Sequence, residues 1–226
     1  MRSYDEYCSL AKSLDVVGDR WTLLIVRELL LRGACRYTDL RNGLPGIATN
    51  LLAERLRDLE QAGVVAREEA PPPIATTLFR LTPRGEQLRP ALEGLIRWGI
   101  PLMTERGPDD AVRSHWIAWA LEMMLADGRP DEPPVTIVLD IGDEPIALET
   151  RDGAIRTRLG RTDAADAVLT GDPTPILGLL LGMLDLPGAR AAGVSYEGDP
   201  MILDRIAVRG PLPHHASGSS PAAVSR

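Results

Sequence analysis

Hydrophobic positions in the first part of the chain fall at helical spacing, change to alternation, and then return to helical spacing. Over residues 8–32, Leu10, Leu14, Val17, Trp21, Leu24 and Ile25 repeat near the helical period, with Gly18 as a break and Gly33 as the end. A short helix is predicted at 37–42, closed by "NGLPG", a cluster of turn formers. In "GIATNLLAERLRDLEQAG", residues 46–63, Leu52, Leu56 and Leu59 then line one face of a helix with Leu51 beside them. After Gly63 the segments "VVARE" and "TTLFRL" predict two strands joined by "EAPPPIA", a hairpin with a long, proline-bearing tip. Helical spacing resumes in "TPRGEQLRPALEGLIRWGIPLM", with Thr82 as its cap and Leu88, Leu92, Leu95, Ile96 and Leu102 on one face.

Gly107-Pro108 marks the expected boundary, placing one domain over residues 1–107 and a second over 108–209. The second opens with "DDAVRSHWIAWALEMMLADG", a predicted helix capped by Asp109 and closed by Gly128. "VTIVLDI", "EPIALETR", "GAIRTRLG" and "DAVLTGD" follow as strands, then an apolar helix at about 173–185, then "AGVSYEG" as another strand. Within that apolar helix Ile176, Leu177, Leu179, Leu180, Leu181, Met183 and Leu184 leave almost no polar face, which predicts burial all round. The fold class read from this order is α+β. Residues 210–226, "GPLPHHASGSSPAAVSR", hold too little apolar content to order themselves, so a disordered tail is expected.

At 226 residues the chain is long enough for one large or two small domains. Its greasiest stretch, "PILGLLLGMLDLPG", is too short for a membrane span and is broken by Asp185 and Pro187. The N-terminus carries acids where a signal peptide needs a basic start, so a cytoplasmic protein is expected. Two cysteines, Cys8 and Cys35, make neither a disulfide framework nor a zinc site. The net charge of −7 disfavours a nucleic-acid partner for the chain as a whole, but the acids are unevenly spread. Residues 1–106 hold 15 Arg or Lys against 14 acids, whereas 107–226 hold 10 against 18. Only the first part suits phosphate.

The helix over residues 46–63 turns Thr49, Asn50, Ala53, Glu54 and Arg57 away from its leucines. A helix entering the major groove needs short side chains where backbones approach closely, and amide or hydroxyl groups for base edges. Thr49 and Asn50 meet that need, although any solvated helix face is polar too. Context separates the two readings. Helix, short helix, turn, helix and hairpin is the order of a winged helix, whose hairpin lays Arg67 and Arg80 along the phosphates.

The segments "GDRWTLLIVRELLLRG", "CRYTDLRNGLPGIATNLLAERLRDLEQAGVVAR", "LTPRG" and "LIRWG" together resemble the HxlR family of bacterial winged-helix transcriptional regulators, over roughly residues 8–103. The resemblance implies a homodimer paired through its outer helices, with one recognition helix per operator half-site. It further implies that Arg36, Tyr37 and Thr38 approach the DNA backbone, that Thr49, Asn50 and Ala53 face bases, and that Arg57 reaches base or phosphate. Arg55 either bridges to phosphate or braces the domain. The sequence departs from the family pattern at Ala48, where a capping serine is common, and in the acidic wing with Glu68, Glu69 and Pro71 to Pro73.

The stretch from "VTIVLDIGDEPIALETRDGAIRTRLG" through "LTGDPTPILGLLLG" to "VSYEGDPMILDRI" resembles the sterol carrier protein-like fold, over about residues 115–207. That resemblance implies an apolar cavity and a hydrophobic ligand. Trp116, Trp119, Met123 and Met124, with Leu177, Leu180, Leu181, Met183 and Leu184, are the candidate lining, and a filled core would use the same residues.

No catalytic constellation emerges, and neither an enzyme, a cofactor nor a metal is expected. His115 lacks a partner at a recognisable spacing and is read as a helix-surface residue, while His214 and His215 fall in the tail. Asp5 and Glu6 oppose a Cys8 thiolate, and Lys12 favours it. These readings predict a homodimeric repressor on a double-stranded DNA operator, its affinity modulated by a hydrophobic effector in the second domain. The alternatives are a hydrophobic-ligand carrier that does not read DNA and a redox sensor acting through Cys8.

Overall fold

The structure is a computed structural model describing residues 3–69, 76–103, 107 and 109–210. The proline-bearing wing tip and the expected tail from residue 211, with its two histidines, lie outside the described residues. The chain divides into two compact units, Met1–Gly94 and Leu95–Arg226.

In the first unit the expected break at Gly18 separates α1 (Ser9–Val17) from α2 (Thr22–Arg32), and Gly33 ends α2 at φ +71. Next come a two-residue strand, β1 (Cys35–Arg36), the short helix α3 (Tyr37–Gly43) and the leucine-striped helix α4 (Thr49–Gln61). The hairpin is β2 (Val65–Glu69) and β3 (Thr77–Leu81), in antiparallel register from Val65↔Leu81 to Glu69↔Thr77. β1 adds to the far side of β3 through Cys35↔Phe79 and Arg36↔Leu78, giving the order β1-β3-β2. So short a strand has no alternation to read in the sequence.

Leu52, Leu56 and Leu59 of α4 are buried with Ile25, Leu29 and Leu40, as the periodicity requires. Beneath α3, Glu28 is wholly buried and ion-paired to Arg27 and Arg32, each at 3.0 Å. Gly43 packs so closely that a Cβ there would overlap the Glu28 carboxylate. The glycine expected to serve a turn is needed for its missing side chain. Thr82 caps α5 (Pro83–Glu86), accepting from the Gly85 N–H at 3.1 Å and donating to the Gly63 carbonyl at 2.6 Å. The long helix expected after Thr82 is split in two, and α6 (Arg89–Gly99) buries Leu92 but leaves Leu95 exposed.

The second unit is α+β. After the end of α6 and a 3-10 turn over Ile100–Leu102 come α7 (Ser114–Met124), then β4 (Leu125–Asp127), β5 (Thr136–Asp140), β6 (Ile146–Arg151), β7 (Ala154–Leu159) and β8 (Ala167–Thr170). α8 (Pro173–Leu180), α9 (Leu186–Ala191), β9 (Ser195–Gly198), a 3-10 turn over Pro200–Arg205 and β10 (Ile206–Val208) complete it. The sheet order is β10-β4-β7-β6-β5-β8-β9, antiparallel except for the β5/β8 pair. Asp152 and Gly153 both have positive φ between Arg151 and Ala154, the two-residue turn that an Asp-Gly pair favours in a hairpin. Ile137, Leu139, Ile146, Leu148, Ala167 and Leu169 alternate onto one core with Ala118 and Leu121 of α7 and Ile176 and Leu180 of α8.

Several expectations for this unit are overturned. Asp109 does not cap the first helix, which starts at Ser114. The Asp143 carboxylate, from the turn between β5 and β6, accepts from the Ser114 N–H at 2.8 Å. That helix also ends before Gly128, because Leu125–Asp127 pairs with β10 and β7 as an inner strand. His115 is buried, not on the surface, with its ring 5.7 Å from that of Trp116 in an edge-on contact. The apolar helix is not buried all round. α8 buries Ile176, Gly178 and Leu180, and after Gly182 turns the chain at φ +70, Met183 and Leu184 are exposed.

Candidate nucleic-acid interface

The amphipathic stripe of α4 decides what faces outward. With its leucines committed to the core, Thr49, Asn50 and Arg57 are exposed and Ala53 is half-buried. Ala48 occupies the N-cap in an extended conformation and offers no side-chain acceptor, so the first N–H groups of α4 lack a side-chain cap. Tyr37 pins this end instead, its hydroxyl donating to the Thr49 carbonyl at 2.6 Å. Arg36 and Thr38 are exposed at the start of α3, where the Asp39 carboxylate accepts from the Arg36 backbone N–H at 3.1 Å.

Ion pairing sorts the arginines. Arg55 is engaged by Asp19, Glu54 and Asp58 with only 13% of its side chain exposed, which is the arrangement of a brace between α4 and the start of α2. On the wing, Arg67 pairs with Glu60 at 2.6 Å and lies over the Phe79 ring at 5.3 Å, while Arg80 pairs with Glu68 at 3.0 Å. Both wing cations are therefore partly neutralised, Arg80 by an acid of the wing and Arg67 by Glu60 of α4. Arg36, Arg41 and Arg57 have no carboxylate partner among the described residues. Arg41 was not singled out in the sequence. Its one signal is its position four residues after Tyr37, on the exposed side of α3.

A cavity of about 400 Å³ opens between α4, the start of α3 and the wing. Asn50, Ala53 and Arg57 form one wall, Tyr37 and Arg67 others, and Leu56 and Phe79 the apolar floor. The helix, the short helix before it and the wing thus converge on one polar, cation-bearing surface.

A model of the HxlR-like helix-turn-helix family matches residues 16–106. The chain is 36% identical over 87 residues to the uncharacterized HTH-type transcriptional regulator YvaP of Bacillus subtilis, an alignment covering 38% of this chain and 80% of YvaP. The chain belongs to the HxlR-like helix-turn-helix family. It is also 33% identical over 112 residues to the uncharacterized HTH-type transcriptional regulator sll1512 of Synechocystis, across 45% of this chain and 82% of that one. Among solved structures, the reduced form of the transcriptional regulator YodB from B. subtilis is 27% identical and covers 45% of this chain and 100% of its own, with a TM-score of 0.39. As an HxlR-like protein the chain is a DNA-binding transcriptional regulator of the helix-turn-helix type. The sheet of the second unit lies beyond the matched HxlR-like region.

The side chains expected to line a ligand cavity in that second unit are not gathered into one set. Leu180 sits in the sheet core with Leu177 and Leu181 packed against it, and Met183 and Leu184 are exposed. Trp119, Met123 and Met124 are buried outside that cluster, and Trp116 is half-buried. Among the described residues no group of three or more His, Cys, Asp or Glu could hold a metal ion, and no helix is long and apolar enough to cross a membrane.

The two thiols of the HxlR-like unit differ in kind. Cys8 is exposed at the N-cap of α1, where the Ala11 and Leu10 backbone N–H groups hold its pKa below the ordinary thiol value. These two N–H groups add to Lys12, the one neighbour that favours a thiolate in the sequence. The signal available in the sequence was the position of Cys8 just before a helix. Burial pushes the Cys35 thiol up to about 11.

Proposed function

We propose that the protein is a homodimeric repressor that inserts α4 into the major groove, with Thr49, Asn50 and Ala53 against base edges and Arg57, Arg36, Tyr37 and Thr38 toward the backbone. One observation carries this reading: Asn50 and Arg57 stand exposed on the outer face of α4 without side-chain partners among the described residues, beside a helix start that has no side-chain cap. Arg67 and Arg80 contribute less to affinity than their position on the wing implies, because each is already paired. We assign residues 1–107 to DNA binding and dimerisation and 108–209 to a sterol carrier-like ligand domain, where a hydrophobic effector alters DNA affinity. The seven-stranded sheet with α7, α8 and α9 on one core supports that second assignment.

Fluorescence anisotropy on duplexes tiling the region upstream of the protein's own coding sequence, at several salt concentrations, tests the base-reading assignment. Specific binding with a salt slope, weakened at all sites by Arg57→Gln and made less selective by Asn50→Ala, is expected. Equal binding to random DNA by all three proteins would leave the carrier reading in its place.

A second reading rests on Cys8. An exposed thiol favoured as thiolate by the first turn of α1 suits an oxidant sensor. Under that reading Cys8→Ser abolishes an oxidant-induced change in DNA affinity.

A further inference from the structure

Each base pair shows its own edge in the major groove. Arginine or lysine bonds guanine, an acid accepts from cytosine, an asparagine amide matches adenine at N6 and N7, and a methyl group packs on the thymine methyl. The outer face of α4 can be sorted by that code. Asn50 is exposed and has no side-chain partner among the described residues, so both ends of its amide are open. Ala53, three residues on, is half-buried and borders the same hollow between α4 and the wing, with only a methyl group to offer. Thr49 presents a hydroxyl that suits any pair and so selects none. The groups that would read G·C pairs are committed elsewhere. Glu54 is held by Arg55, and Arg55 is held in turn by Asp19 and Asp58, so neither that acid nor that cation is open to a base. Arg57 has no carboxylate partner among the described residues, but it stands seven residues beyond Asn50. That is about 10 Å along the helix axis, away from the N-terminal end that contacts base edges.

We infer that α4 selects two neighbouring A·T pairs in the site it reads, with Asn50 on the adenine of one and Ala53 on the thymine methyl of the next. Three residues advance a helix by about 4.5 Å, close to one base-pair step of about 3.4 Å, so the two side chains meet adjacent pairs. Both are short, which lets the backbone of α4 approach the base edges closely enough for each contact. The inference deepens the reading of α4 as the DNA-reading helix and rests on it. It makes Asn50 and Ala53 the residues that set specificity and leaves Arg57 to affinity.

The test uses the full chain to select duplexes from a randomised pool, and then replaces adenines and thymines of the selected site one at a time. Each replacement cuts one contact: 7-deazaadenine lacks the N7 acceptor, and deoxyuridine in place of thymidine lacks the methyl group. In fluorescence anisotropy, 7-deazaadenine at one adenine should weaken binding about fivefold, the scale of one hydrogen bond. Asn50→Ala should lose that penalty. Deoxyuridine at the neighbouring pair should weaken binding about fourfold, the scale of one buried methyl group, and Ala53→Ser should lose that penalty. Arg57→Gln should weaken binding to every duplex and keep both penalties. A selected site without adjacent A·T pairs, a 7-deazaadenine penalty undiminished in Asn50→Ala, or a deoxyuridine penalty undiminished in Ala53→Ser would each overturn the inference. In those cases a change in the selected sequences on Asn50→Ala keeps α4 as the reading helix and removes only the A·T assignment. If no duplex is enriched over the pool, the reading of α4 itself fails, and this inference with it.

Discussion

Arg205 grips Asp127 through two bonds, Nε to Oδ1 at 3.0 Å and Nη2 to Oδ2 at 2.9 Å, inside the second unit where both residues are buried. The same guanidinium reaches the Pro133 carbonyl at 2.7 Å and the Thr150 hydroxyl at 3.2 Å, so one side chain fastens the closing turn and β10 to β4 and β6. Removing one partner strands the other as a buried charge, at a cost of about 3–5 kcal/mol. Arg205→Met should therefore destabilise the second unit by that order, and adding Asp127→Leu should recover much of it. Urea unfolding of the two variants checks this, and equal stability of the single and double variants would refute it.

The same pair sets an acid limit. Hydrogen bonding by Arg205 holds the Asp127 carboxyl below the usual carboxylate range. As pH falls, the unfolded chain takes up this proton before the folded one does, so the contribution is complete above the ordinary Asp value of about 3.9. It is lost as pH drops from there through the depressed native value. Asp127→Asn in the full chain should flatten the fall in stability over that acid window, as read from urea midpoints measured at successive pH values.

Gly43 and Glu28 make a prediction in the first unit. A methyl group at Gly43 would overlap a wholly buried carboxylate already held by Arg27 and Arg32. Gly43→Ala should lower stability by about 1–3 kcal/mol, the usual cost of overpacking, although alanine is the better helix former. A melting temperature at or above that of the natural protein would show that Glu28 yields without cost.

Ala48 predicts the opposite sign. Its φ of −70° and ψ of 139° are those of an N-cap, and only the acceptor is missing. Ala48→Ser should stabilise α4 by about 1 kcal/mol, seen as a higher midpoint in thermal unfolding. An unchanged midpoint would mean that the first N–H groups of α4 already have equivalent partners.

The thiols should label in sequence. Near pH 8 iodoacetamide should modify Cys8 in the native protein and leave Cys35, whose thiol is buried and pushed up to about 11. Mass spectrometry after a short exposure reads the outcome, and Cys35 should react only once the chain is unfolded. Comparable native rates at the two sites would contradict the burial.

The local order of the first unit was legible because short-range physics sets it. The leucine stripe of α4 and the Thr82 cap depend on neighbours within a few residues, and the strand pair around the wing joins segments 8 to 16 residues apart across one hairpin. The outward direction of Thr49, Asn50 and Arg57 was equally local, since a helix with three buried leucines on one face has only one other way to turn. The Asp-Gly pair between β6 and β7 likewise carries its own turn.

Distant partners decided the rest. Whether an arginine is free for phosphate depends on which carboxylate folds beside it: Arg55 meets Asp19, Arg67 meets Glu60, and Arg57 meets none among the described residues. No spacing rule separates those three. Asp143 took the capping role that Asp109 was expected to fill, from 29 residues along the chain. β4 and β10 pair across the chain, and Asp127 and Arg205, 78 residues apart, can be buried beside that pairing only because they satisfy each other. The sequence by itself determined the helical faces, turns and family of this protein. Tertiary structure decided which charges those faces leave unpaired, because pairing is a matter of distance in space.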